Sequence, residues 1–200
     1  ENTSKCNVSS TTVVYKLNPD VAVAKIVSPV DACSLSDKQA VTISLTNNGK
    51  DIDIIKAGTE LTLQLNFNGT TTPPHTFAVP NDVASGQPFE YTFPETFNIS
   101  ATGTTYSLKP SVTMQYDIKA ANDMLDASVK SFGFPAFTLT PQTQTVNALD
   151  YTYDADPAMA YKSYEWYDKT TLKTNKVVYP GPADGKIWCT VTDNNGCSTK

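Results

Sequence analysis

A two-residue alternation of apolar and polar side chains is the feature that most constrains the fold of this chain. Between residues 61 and 67, Leu or Phe occupies every second position, and Thr, Gln or Asn occupies the positions between. Successive side chains of a β-strand point to opposite faces, so this segment is predicted to bury one face. Similar segments recur from residue 20 to 139, separated by turn sequences such as Asn47-Asn48-Gly49. About seven strands in roughly 120 residues are typical of an immunoglobulin-like β-sandwich.

A change in composition after Pro135 and Pro141 predicts a second sandwich, because Tyr and Trp concentrate beyond that point. The predicted fold is therefore all-β, with tandem immunoglobulin-like antiparallel β-sandwiches. Residues 1–18 are interpreted as an N-terminal strand or linker, or as the end of a preceding module. Residues 19–139 are predicted to form the first sandwich, and residues 140–200 are predicted to form a second one that lacks its last strand.

The end of the sequence predicts a hairpin. Residues 185–198 contain a strand, an Asp-Asn-Asn-Gly turn and a short return strand. An uncovered sheet edge favours pairing with another strand, and residues 9–17 have the character of the missing one. We therefore expect the second sandwich either to leave its edge open or to take that strand from a neighbouring molecule.

Residues 118–128 allow two interpretations. Ala120, Ala121, Met124 and Leu125 have some helical periodicity, whereas the Asp and Asn residues among them favour a polar connection. The connection would lead to a last strand near residues 127–132.

Charge and hydropathy exclude two classes of partner. The fifteen basic residues are all Lys, and the net charge is −5, which disfavours nucleic acid. No apolar segment approaches the roughly 20 residues that span a bilayer, so direct membrane insertion is not expected.

Three segments of residues 19–139 resemble the CARDB-like adhesion domain of bacterial surface proteins. Residues 20–29 give an acidic strand start and a Ser-Pro bend, residues 33–36 give a Cys-Ser-Leu-Ser sequence, and residues 39–49 give an apolar strand ending in Asn-x-Gly. Residues 164–167 and 185–197 are similar to the Ig-like or PKD-like modules that alternate with such domains in giant Bacteroidetes adhesins. The resemblance implies a non-enzymatic protein exported to the bacterial cell surface, as in flavobacterial gliding-motility adhesins, where such modules form a long filament. Its partners would be neighbouring modules of the same polypeptide, and extracellular polysaccharide or a surface protein.

The four cysteines Cys6, Cys33, Cys189 and Cys197 form no Cys-x-x-Cys pair, which favours disulfides over a zinc site. Cys6 and Cys33 lie symmetrically about Asn18-Pro19-Asp20, so a hairpin turn there would bring them together. Alternatively, Cys6 belongs to a preceding module. A Cys189–Cys197 bond would need a turn wider than two residues, and the alternative is that both thiols are free and buried.

Catalysis and metal binding have little support in the sequence. The single histidine, His75, has no nucleophile motif beside it, so no enzymatic activity and no catalytic residues are predicted. Asp154-Ala155-Asp156 and Asp193-Asn194-Asn195 offer oxygen ligands for calcium, but neither matches a calcium loop and both suit turns. We therefore predict no cofactor, with a structural calcium ion as the weaker alternative.

Aromatic side chains are the remaining candidates for binding. Trp166 is predicted to lie in the core, and Tyr167 on the opposite face of the same strand. Exposed Tyr151, Tyr153 or Tyr167 could stack on sugar rings or pack against another domain. The sequence thus predicts a spacer module of an adhesin, with a carbohydrate- or protein-binding module as the alternative.

Overall fold

The computed structural model describes residues 18–50, 52–137, 161–167 and 188–200, and the backbone alone of residues 152–154, 168, 171–174, 178–180 and 187. Regular structure in these residues consists of fifteen β-strands and one 3-10 helix. This confirms the prediction of an all-β fold. Within the described part, no helix is long and apolar enough to cross a membrane.

The first part of the chain contains the longer strands. In chain order they are β1 Val21–Ser28, β2 Ala32–Cys33, β3 Gln39–Asn47, β4 Glu60–Phe67, β5 Thr70–Thr71, β6 His75–Ala78, β7 Pro88–Phe97, β8 Thr104–Met114 and β9 Ala127–Phe132. A 3-10 helix, Ala120–Asn122, lies in the connection between β8 and β9.

Two sheets built from these strands face each other as a β-sandwich. The smaller has the order β1-β3-β7, and the larger has the order β2-β9-β8-β4-β5, with β6 also paired to β4. All their pairings are antiparallel except the short β2–β9 pairing. Their inner faces share one hydrophobic core, to which both sheets contribute buried residues, among them Val23, Ile43 and Phe93 from the smaller and Leu63, Leu108 and Val129 from the larger.

Strand β4 shows how the alternation produces this core. Leu61, Leu63 and Leu65 are each 0% exposed, whereas Glu60 and Thr62 between and beside them are exposed. Each fully buried Leu contributes about 1.5–3 kcal/mol relative to an exposed one. The prediction from the sequence pattern is therefore confirmed for this strand.

The segment 118–128 is a polar connection, and the helical interpretation is wrong beyond the single 3-10 turn. An acidic side chain there accepts hydrogen bonds from backbone N–H groups, in place of the hydrogen bonds of a helix. The Asp117 carboxylate accepts hydrogen bonds from the backbone N–H groups of Val21 and Lys119, both at 2.8 Å. The strand that follows has the predicted position, Ala127–Phe132.

The described residues in the later part of the chain contain six short strands. They are β10 Thr152–Asp154, β11 Ser163–Asp168, β12 Thr171–Thr174, β13 Val178–Pro180, β14 Ile187–Thr192 and β15 Ser198–Thr199. Strands β10 and β13 pair with each other, and the other four form a sheet with the order β12-β11-β14-β15. Trp166 of β11 is 0% exposed, which confirms its predicted place in the core.

The predicted C-terminal hairpin is present as β14 and β15, which pair through Val191 with Thr199 and Thr192 with Ser198. The predicted domain boundary near residues 139–142 lies outside the described residues, as do residues 9–17. Exchange of that segment between molecules therefore stays a prediction.

Candidate functional site

A disulfide bond between Cys33 and Cys197 connects the first sandwich to the C-terminal hairpin. Their Cα atoms lie 5.6 Å apart, and 164 positions separate them in sequence. Cys33 ends β2, an edge strand of the larger sheet, and Cys197 is buried next to β15. A second contact joins the two parts, because the Tyr161 hydroxyl donates a hydrogen bond to the Ala136 carbonyl. The two parts of the chain are thus joined by a covalent and a polar contact.

This bond corrects both cysteine pairings favoured from the sequence. The Cys6–Cys33 pairing is wrong because the sulfur of Cys33 is already bonded to Cys197; Cys6 itself lies outside the described residues. The Cys189–Cys197 pairing is wrong for the same reason, and Cys189 is a free thiol. Both predicted pairings joined cysteines within one hairpin, whereas the observed pair is separated by 164 positions.

Cys189 is placed in the core by its strand. It pairs across β14 and β11 with Trp166, and only 1% of it is exposed. Burial raises the pKa of the Cys189 thiol to about 11. Val191, two positions later on the same face of β14, is also buried, so this face of the strand packs inward. One half of the alternative prediction, a free and buried Cys189, is confirmed.

The turn between β14 and β15 is wider than the two-residue turn considered from the sequence. Thr192 pairs with Ser198, and the Asp193 carboxylate closes the loop between them. Its Oδ1 accepts hydrogen bonds from the N–H groups of Asn195 at 2.9 Å and Cys197 at 2.8 Å. Burial acts to raise the pKa of Asp193, but these hydrogen bonds outweigh it and lower the pKa. The carboxylate thus fixes the backbone N–H of Cys197, whose side chain forms the disulfide.

These contacts account for the Asp193-Asn194-Asn195 sequence as turn chemistry. Of the other acidic pair, Asp154 is described only by its backbone in β10, and Asp156 lies outside the described residues. Within the described residues, no group of three or more His, Cys, Asp or Glu side chains could hold a metal ion. The absence of a cofactor stays a prediction.

The aromatic candidates are only partly described. Tyr151 lies outside the described residues, and Tyr153 belongs to β10, of which the backbone alone is described. Tyr167 lies on the outer face of β11, as predicted, but it is half-buried rather than exposed. Tyr167 pairs with Trp188 of β14. The two rings are stacked, with their centroids 6.2 Å apart and their planes at 13°.

Trp188 and Lys200 were not singled out from the sequence. The Lys200 ammonium lies 4.2 Å from the centre of the Trp188 ring, so Tyr167 of β11, Trp188 of β14 and Lys200, which follows β15, form a row. We call this row the aromatic ladder. The signal that could have found it is the alternation in β14, since Cys189 and Val191 face the core and Trp188 must face away. The ring–ring and ammonium–ring contacts of the ladder stabilise the sheet.

Glu165 extends the polar part of this outer face. Its Oε2 accepts a hydrogen bond from the Tyr167 hydroxyl at 2.9 Å. That hydrogen bond, with burial and the carboxylate charge, raises the pKa of the Tyr167 phenol. The Tyr167 ring is therefore held by Glu165 at its hydroxyl and by Trp188 at its face.

His75 lies at the start of β6, on the edge where the two sheets of the first sandwich meet. Its Nε2 is 2.7 Å from Glu95 Oε1 on β7. Its ring packs edge-on against the ring of Phe93, with the ring centroids 6.3 Å apart. Stacked and edge-on contacts of Phe77 with Phe89 and Tyr91 continue the seam between β6 and β7. These contacts place His75 in a structural role, joining the two sheets.

No protein-family model matches the sequence, and no curated protein matches it. Among solved structures, the chain is similar to the CARDB domain of a Pyrococcus furiosus protein, which was crystallised in complex with di-metal ions. The identity is 15%, the match covers 63% of this chain and 99% of that chain, and the TM-score is 0.40. A likeness at this level says nothing about function, and the description of the fold rests on the sheets themselves.

Proposed function

We propose that this chain is a structural spacer of a large repetitive bacterial cell-surface adhesin that contributes to surface adhesion and gliding motility. The observation that supports it best is the Cys33–Cys197 bond, which fastens the first sandwich to the C-terminal hairpin. In this proposal the protein is extracellular, has no enzymatic activity and contacts neighbouring modules of the same polypeptide. Stable disulfides belong to oxidising compartments, which supports the extracellular location.

The disulfide suits a chain under tension. A force applied to the two ends would pass through the bond and bypass the 164-residue span between its cysteines. At about 3.4 Å per residue, the bypassed span corresponds to roughly 550 Å of extended chain. A spacer with this bond would keep its length even when a sandwich inside the span unfolds.

Single-molecule pulling from the two termini tests the mechanical role. With the bond intact, unfolding should release only the chain outside the cysteines. After reduction, or in Cys33→Ala, the released length should increase by roughly 550 Å. Equal lengths in the oxidised and reduced protein would contradict the proposal.

Antibody labelling tests the location separately. Cells that express the full-length protein should bind an antibody against this chain without being opened. Labelling that requires lysis of the cells would contradict a surface location, whatever the pulling experiment shows.

Binding of a polysaccharide or a surface protein is a second candidate function. It is favoured by the outer face of β11 and β14, where Tyr167 and Trp188 keep part of their surface beside Glu165 and Thr190. Aromatic rings bordered by hydrogen-bonding side chains suit sugars. In a glycan array and in adhesion assays, this function predicts selective binding that Trp188→Ala abolishes. If the chain is only a spacer, neither the wild type nor Trp188→Ala should bind selectively.

A further inference from the structure

A cluster of four polar side chains joins the beginning of β1 to the connection between β8 and β9. We call Asp20, Asp117, Asn122 and Asp123 the carboxylate cluster. The Asn122 side-chain amide donates to Asp20 Oδ1 at 2.7 Å, and the Val21 backbone N–H donates to Asp117 Oδ2 at 2.8 Å. Asp20 is only 5% exposed. The cluster therefore holds the point at which the chain enters the first sandwich.

Two oxygen atoms of the cluster lack a hydrogen-bond donor. Asn122 Oδ1 and Asp123 Oδ1 are buried, and neither has a partner among the described residues. Leaving a buried acceptor unpaired is destabilising, and more so when the acceptor carries charge. An ionised Asp123 carboxylate can only accept hydrogen bonds, so it cannot supply the missing donor itself.

The charges around Asp123 are also unfavourable to its ionised form. Asp20 directly precedes β1, Asp117 lies in the same connection as Asp123, and the negative charge of each acts on Asp123. The Lys–Asp ion pairs formed by the described residues, Lys56–Asp82 and Lys109–Asp126, do not include any member of the cluster, and neither does the His75–Glu95 contact. Burial first, and then the charges of Asp117 and Asp20, raise the pKa of Asp123 to about 6.

We propose that the carboxylate cluster is a proton-operated clamp, in which protonation of Asp123 strengthens the attachment of the start of β1. A proton on Asp123 removes one of three neighbouring negative charges. It also gives the Asp123 side chain a hydrogen-bond donor, which the ionised carboxylate lacks. On deprotonation, repulsion returns, and the connection over residues 117–123 separates more easily from β1.

The direction of the pH effect follows from the difference in proton binding. The unfolded chain binds this proton with an ordinary pKa near 3.8, whereas the folded chain binds it near 6. Between these values the folded state holds more protons, so stability falls as the pH rises through this window. Above this window, the ionised Asp123 destabilises the folded state in full. Below about pH 4, this destabilisation is absent.

Thermal unfolding of the whole chain tests the clamp, with Asp123→Asn as the variant and Asp126→Asn as the matched control. Both variants remove one negative charge, but Asp126 is exposed and pairs with Lys109. From about pH 7.5 to about pH 5, the Tm of the wild type and of Asp126→Asn should rise by on the order of 2–4 °C more than that of Asp123→Asn. At neutral pH, Asp123→Asn should have the highest Tm of the three proteins.

Two results would overturn the proposal. One is an identical change of Tm with pH in the wild type and in Asp123→Asn. The other is a carboxyl NMR titration of wild-type Asp123 with a midpoint near 4, which needs no variant to fold. Hydrogen exchange adds a local readout, since the Val21 and Lys119 amides that bind Asp117 should exchange faster at about pH 7.5 than the intrinsic pH dependence accounts for.

Discussion

Cys33 and Cys197 are covalently joined, although they belong to opposite ends of the described chain. The bond fastens β2, at the edge of the larger sheet, to the turn before β15. Short edge strands pair through few backbone hydrogen bonds, and β2 has only two residues. The disulfide therefore secures two elements that backbone pairing alone would hold weakly.

Removing this bond should lower the stability of the protein substantially. For a closed loop of 164 residues, the chain-entropy model gives about 5 kcal/mol, which is an upper value because measured effects are often smaller. Urea unfolding of Cys33→Ala should show the loss. In Cys197→Ala the loss should be similar, and the double variant should lose no more than either single one. Additive losses would contradict a bond between these two cysteines.

Cys189 should be unreactive in the folded protein. It is 1% exposed, and burial raises the pKa of its thiol to about 11, so at pH 8 roughly one thiol in a thousand would be ionised. Alkylation without reductant should label Cys189 only after denaturation. Peptide mapping locates the label, and rapid labelling of Cys189 in the folded protein would refute its placement.

Leu63 should be among the most sensitive positions of the first sandwich. It is 0% exposed and pairs with Val112 on β8, so Leu63→Ala leaves a cavity in the core. We expect a loss of about 2–5 kcal/mol in the free energy of unfolding. The neighbouring Thr62 is exposed on the other face of the same strand, and Thr62→Ala should change that energy by no more than about 0.5 kcal/mol. Similar losses for both variants would argue against the assigned register.

Asn47 organises the turn that follows β3. Its side-chain amide donates to the carbonyl oxygens of Asp53 at 2.6 Å and Val83 at 2.9 Å, and its Oδ1 accepts from Gly49 N–H at 3.0 Å. Asn47→Asp keeps the shape but loses both donors, and we expect a loss of about 1–3 kcal/mol that is smaller at acidic pH. Asn48→Ala is the control, because Asn48 is exposed. Equal urea midpoints for the two variants would contradict this role.

The Asn47-Asn48-Gly49 motif illustrates what could be predicted from the sequence. It indicated a turn, and the structure adds the reason for Gly49: a Cβ atom there would lie 2.7 Å from the Cβ of Asp53. The alternation in β4 and the buried place of Trp166 were likewise predictable, because periodicity reports directly which side chains face the core.

The cysteine pairing could not be predicted, since it depends on how distant elements are brought together. Spacing suggested local partners for Cys33 and Cys197, whereas the observed bond depends on the position of β2 beside β9 and on the turn built by Asp193. The aromatic ladder was missed for a related reason. Trp188 and Tyr167 become neighbours only through the register of β11 with β14.

Mass spectrometry of the unreduced, proteolysed protein tests the central claim most directly. Free thiols are blocked first at acidic pH so that disulfides do not exchange. The account predicts a cross-linked peptide pair containing Cys33 and Cys197, with Cys189 recovered as a blocked thiol. Recovery of Cys33 linked to Cys6, or of Cys189 linked to Cys197, would contradict it.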